Sequence, residues 1–67
     1  MQLGNLLELM NPDQRVEVTL ETLDGNGGFW FDRAAAMIKT CTFMFDAEVR
    51  SVYTRDDAIV IDAKATY

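Results

Sequence analysis

Few side chains in this 67-residue chain have chemistry to offer. They are one cysteine (Cys41), one serine (Ser51), the adjacent carboxylates Asp56 and Asp57, and a glycine-rich run, Gly25-Asn26-Gly27-Gly28. There is no histidine. A hydroxyl or thiol becomes a nucleophile when a base stands within reach, and without imidazole neither Ser51 nor Cys41 has an ordinary one. Cys41 also falls on the apolar spacing of Ala34, Met37 and Ile38, which makes it a buried, inert thiol. Paired carboxylates can do acid–base work, but Asp56-Asp57 sits between two β-rich runs, where aspartates serve as turn residues. One thiolate plus carboxylates is a poor set for structural zinc. The glycine run leads into Phe29-Trp30-Phe31 with no lysine after it, so it lacks the strand–glycine–helix order of a phosphate loop. Counted as a calcium loop from Asp24, its twelfth position is Ala35 rather than a bidentate glutamate. The expectation is a protein that is not an enzyme and carries no cofactor and no metal.

The elements that would position these residues follow from periodicity. Leu3, Leu6, Leu7 and Met10 recur at i, i+3, i+4 and i+7 and predict a short helix. Asn5 with Glu8 has the form of a capping box, and Asn11-Pro12 supplies the stop. From Arg15 to Leu23 the chain alternates, Val16, Val18 and Leu20 on one face and Glu17, Thr19 and Glu21 on the other, as a half-buried strand does. The run from Asp24 to Gly28 reads as a hairpin loop and Phe29-Trp30-Phe31 as the returning strand. Asp32 is placed to cap a second helix carrying Ala34, Met37, Ile38 and Cys41. Residues 41–45 suit a helix end and connection, although their alternation would also suit a strand. Ala47–Thr54 and Ala58–Ala65 read as a second hairpin joined by Arg55-Asp56-Asp57. Within it, Ile59-Val60-Ile61 calls for cover on both faces or for an interface. The fold class is therefore α+β: one domain over residues 1–67, in the order α-β-β-α-β-β. Its simplest form is an antiparallel four-stranded sheet with two short helices on one face.

Composition narrows the class of function. Eleven acids against six bases leave a net charge of −5, which opposes direct nucleic-acid binding through phosphates. No apolar run approaches the ~20 residues of a bilayer span and the N-terminus lacks a basic leader region. A soluble cytoplasmic protein with no membrane role is expected. A core of this size supplies roughly 3–5 kcal/mol, and small domains usually add a disulfide, a metal or a partner subunit. With one cysteine and no histidine, self-association is the support left.

Two groups of residues go beyond a plain structural reading. Phe29, Trp30 and Phe31 are consecutive, as are Phe43, Met44 and Phe45, so neither trio can point into one core. Trp30, Phe43, Phe45 and Val60 are the candidates for a homo-oligomer interface, most simply a homodimer. Glu17, Glu21 and Asp24 form an acidic ridge. It is a solvated strand face in the plainer reading, and a surface for a basic partner in the sharper one. With Phe29, Trp30 and Phe31 as anchors, these acids are the candidate partner-binding residues.

A Leu-rich opening (Leu3 to Met10), a valine-alternating strand (Arg15 to Leu20), a glycine turn, a small helix and a closing pair (Glu48 to Tyr53, Asp57 to Asp62) together give a chain that resembles small uncharacterised phage and prophage accessory proteins. The aromatic run Phe29-Trp30-Phe31 and the alanine-rich second helix depart from that pattern. Some such proteins inhibit bacterial defence systems by binding, so the resemblance implies a phage-type interaction protein that binds and inhibits a host protein. Two rivals stand beside it. One is a sponge for a small signalling nucleotide, held at an oligomer interface by Arg33, Arg50 and Arg55. The other is a structural subunit whose whole function is assembly.

Overall fold

A strand with isoleucine, valine and isoleucine in succession belongs where both faces are covered and both edges are paired. In the computed structural model, which describes residues 1–65, that strand is β4 (Ala58–Lys64). It lies inside a four-stranded sheet of order β2-β1-β4-β3, with β1 spanning Arg15–Thr22, β2 Gly25–Phe31 and β3 Glu48–Arg55. The single domain expected over 1–67 runs into Thr66 and Tyr67, which lie outside the described residues.

The element order is the expected one, α-β-β-α-β-β. The sheet differs from expectation in one respect, because it is mixed rather than purely antiparallel. β1–β2 and β3–β4 are antiparallel hairpins, while β1 and β4 run parallel, from Arg15 opposite Ala58 to Glu21 opposite Lys64. The physical reason lies in burial. β3 is exposed along its length except at the half-buried Val49, which suits an edge, whereas β4 buries Ala58, Val60, Ile61 and Ala63. Turning the second hairpin so that β4 meets β1 puts the apolar strand in the middle.

Both helices cover one face. Helix α1 (Leu3–Leu9) and helix α2 (Ala34–Thr40) have seven residues each, too short to persist alone in water. Packing holds them: Leu3, Leu7, Ala34 and Met37 are completely buried, against Val16, Val18, Leu20 and Ile61 of the sheet. Each large aliphatic side chain so buried contributes roughly 1.5–3 kcal/mol. Neither helix uses the expected side-chain cap. Gln2 and Arg33 are the N-cap residues and neither makes a capping bond. The first-turn N–H groups are met by main chain instead. Leu3 and Gly4 donate to the carbonyls of Ala47 (2.8 Å) and Phe45 (3.0 Å), and Ala34 and Ala35 donate to those of Gln14 (2.8 Å) and Pro12 (3.0 Å). Asn5 lies inside α1, so the Asn5/Glu8 box is not formed.

The glycine run is also placed differently. The turn is Leu23-Asp24, and Gly25 to Gly28 are already strand, opposite Thr22 to Thr19. Gly25 alone needs glycine's freedom, with φ 134°. Residues 41–45 form the expected helix end and connection, a 3-10 turn over Thr42–Met44.

Candidate functional site

Alternation assigns every sheet residue to one of two faces. The helix-covered face takes Val16, Val18 and Leu20 with their partners. Among the described residues the other face carries no helix, and the registers align its side chains in rows. One row runs Trp30, Glu17, Val60, Tyr53 from edge to edge; the next holds Gly28, Thr19, Asp62 and Ser51. A bulge between Val49 and Ser51 adds Arg50 to this side, where it lines a hollow with Thr19, Glu21, Asn26 and Asp62.

Long side chains tie the face together. The Arg15 guanidinium lies 5.3 Å from the centre of the Trp30 ring. Arg55 on β3 spans β4 to donate a hydrogen bond to the Glu17 carboxylate on β1, and that bond holds the Arg55 proton more tightly than usual. Beneath this ion pair Val60 is only 3 % exposed and Ala58 4 %. Ser51 Oγ donates to Asp62 Oδ2 at 2.9 Å. Trp30 remains 59 % exposed and Tyr53 46 %. Thr19, Gly28, Trp30, Glu17 and Arg55 border a hollow of about 340 Å³.

This face is electrically balanced. Glu17, Glu21, Glu48 and Asp62 share it with Arg15, Arg50, Arg55 and Lys64. The remaining seven acids and two bases carry the whole net charge of −5 on the helical side and the turns. The expected acidic ridge is thus brought together only in part. Glu17 and Glu21 share the face, Glu17 is neutralised by Arg55 and Glu21 is paired in register with Lys64, while Asp24 sits in the β1–β2 turn.

The aromatic candidates divide between the faces. Trp30 projects on the open face; Phe29 and Phe31 point to the helical side and are half-buried. Phe29 meets Phe43 edge-to-face at 5.8 Å, and the two, with Leu20, Gly25 and Gly27, line a groove of about 490 Å³. Phe43 is 53 % exposed. Phe45 is half-buried, with Gly4 closely against its ring. Val60, expected at an interface, is only 3 % exposed within the single chain, between Glu17 and Tyr53. Sequence reasoning missed Tyr53 and Arg15, and it named Arg55 only with Arg33 and Arg50 as a set that could hold a nucleotide. Strand alternation on β3 could have grouped Ser51, Tyr53 and Arg55, but nothing in the sequence joined them to Arg15 and Trp30.

The chemistry of the reactive groups is muted. Cys41 is buried and desolvation raises its pKa, which disfavours the thiolate. Among the described residues no three of His, Cys, Asp and Glu are grouped to hold a metal ion, and no helix is long and apolar enough to cross a membrane. Comparison with protein-family models, with curated proteins and with solved structures returned no match.

Proposed function

We propose that this chain is a non-enzymatic interaction protein of the phage-accessory type, one that binds and inhibits a host protein in the cytoplasm through its helix-free sheet face. One observation carries the reading: an exposed Trp30 and an exposed Tyr53 stand in one row of that face, among Arg15 and Arg55. Tryptophan, tyrosine and arginine are the residue types that supply most interface energy. Trp30 is already held by Arg15, so less side-chain freedom is lost when a partner covers it. Paired charges around the aromatics give a polar rim that fixes orientation more than affinity. The net −5, carried off this face, adds long-range attraction to a basic partner.

The test is capture from bacterial lysate on the immobilised chain. One protein should be retained at stoichiometric yield. It should be lost with Trp30→Ala or Tyr53→Ala while circular dichroism is unchanged, and kept with Leu9→Ala, an exposed residue of the helical side. Capture indifferent to Trp30 and Tyr53 would refute the assignment of the face.

A further inference from the structure

The two edges of the sheet are not built alike. β3 carries Glu48, Arg50 and Arg55 and a bulge, and its outer side is already engaged at its start, where Val49 N–H donates to the Met1 carbonyl at 2.9 Å. Charges, bulges and cover are the devices by which proteins protect an edge strand. β2, Gly25-Asn26-Gly27-Gly28-Phe29-Trp30-Phe31, has no charge, no proline and no bulge.

The outward backbone groups of β2 can be identified. Ala65 N–H donates to the Glu21 carbonyl, so the main chain of Glu21 turns towards β4. By alternation Val16, Val18 and Leu20 turn towards β2, and their partners Phe31, Phe29 and Gly27 turn back to them. Asn26, Gly28 and Trp30 therefore present their N–H and C=O groups outward.

We infer that a second copy of this chain occupies that edge, β2 against β2 in antiparallel register, with the two-fold axis at Gly28. Three features select this partner and register. Gly28 is the middle residue of β2, so pairing it with its own copy sets Asn26 opposite the partner's Trp30 and uses all three outward residues of each strand. The strand is also small in its first half and large in its second. This register then places Phe29 opposite Gly27 and Phe31 opposite Gly25 on the helical side, and Trp30 opposite Asn26 on the open side. Finally, the groove beside Gly25 and Gly27 lies where the other copy's Phe29 and Phe31 project, and no charged side chain stands within the paired strands. The interface is isologous, as a closed two-fold dimer requires.

Pairing joins two four-stranded sheets into one of eight strands with all four helices on one side. The hollow beside Gly28 and Thr19 is then bordered by both tryptophans, so each copy contributes a residue to the other's open face. This inference goes beyond the proposed host binding and does not depend on it.

The experiment uses purified chain alone and so is independent of any host protein. Sedimentation of the wild type at high micromolar concentration should show a dimer. A Cβ at Gly28 meets nothing within 4 Å, and the residue is not among those with positive φ, so Gly28→Lys and Gly28→Glu fit the single chain. Each places like charges opposite one another at the axis and should sediment as a monomer with unchanged circular dichroism. An equimolar mixture of the two should recover a dimer, because only residue 28 opposite residue 28 brings Lys to Glu. A monomeric wild type, dimeric single variants, or a mixture that stays monomeric would each overturn the inference.

Discussion

Arg55 and Glu17 are hydrogen-bonded to each other across the full width of β4, although they belong to strands that do not touch. The pair is solvent-accessible, with Arg55 60 % and Glu17 26 % exposed in their side chains, so screening discounts its Coulomb energy. It also lies over Ala58 and Val60, which are only 4 % and 3 % exposed on the face away from the two helices.

If the arginine stem provides that cover, removing the charge alone should matter less than removing the side chain. The expected order of melting temperatures is wild type, then Arg55→Met, then Arg55→Gly. Equal values for the two variants would assign the effect to charge. Val60→Asp should not fold at all. The new carboxylate would be buried beside Glu17 and would compete with it for Arg55, at a cost of roughly 3 kcal/mol or more, comparable with the roughly 3–5 kcal/mol that so small a core supplies. Circular dichroism distinguishes this from Gly28→Lys, which keeps its structure.

Gly4→Ala sets two magnitudes against each other. Alanine in place of glycine gains a helix up to about 1 kcal/mol. The new Cβ, however, would stand 2.9 Å from Cβ and Cγ of Phe45, whose own carbonyl accepts the Gly4 N–H. Overpacking at a pinned contact costs typically 1–3 kcal/mol, so the variant should be less stable by about 1 kcal/mol. In a domain this small that lowers the melting temperature by roughly 4–8 °C. A rise would mean that Phe45 yields freely.

Cys41 should resist alkylation in the folded chain and react once the chain is unfolded in denaturant, since burial disfavours the thiolate. The sign of the linked pH effect follows. The folded thiol holds its proton more tightly than the unfolded one, so its contribution is present below the ordinary value of 9.0 and is lost as pH rises beyond it. Stability of the wild type should therefore fall more steeply above about pH 9 than that of Cys41→Ala, measured by urea unfolding. Parallel profiles would show that the thiol ionises as freely folded as unfolded.

Salt should strengthen the β2-paired dimer. Continuing its register beyond the strands brings Asp24 opposite the partner's Asp32, and each copy carries a net −5. Raising ionic strength screens both repulsions, so the dissociation constant should decrease from low to high salt. An increase would require an ion pair at the interface, which this register does not contain.

Alternation made the faces legible in the sequence. Val16, Val18 and Leu20 against Glu17, Thr19 and Glu21 correctly separated core from surface, while Ile59-Val60-Ile61 asked for cover on both faces or for an interface, of which the single chain supplies the cover. Neighbours were not legible, because a period of two states which way a side chain points and not which strand lies beside it. The parallel meeting of β1 and β4 depends on how the second hairpin turns. For the same reason the Arg55–Glu17 bond, 38 residues apart, left no local signal. The glycines misled for a different cause. Gly25 to Gly28 tolerate turn geometry, yet pairing with β1 holds them in a strand. Capping motifs failed because each helix begins against a stretch of backbone that already satisfies its first N–H groups.

The position of β4 also bears on how the domain is made. β4 is synthesised after the other three strands, yet it fills the gap between β1 and β3. A nascent chain that has emerged only through Arg55 holds the β1–β2 hairpin and a lone β3, with the inner edges of β1 and β3 unsatisfied. Such edges attract the strands of other chains. Ribosome-stalled chains should therefore acquire protease resistance in a single step once Lys64 has left the exit tunnel, and shorter ones should aggregate or recruit chaperones. On that expectation the strand that completes the sheet is also its clock.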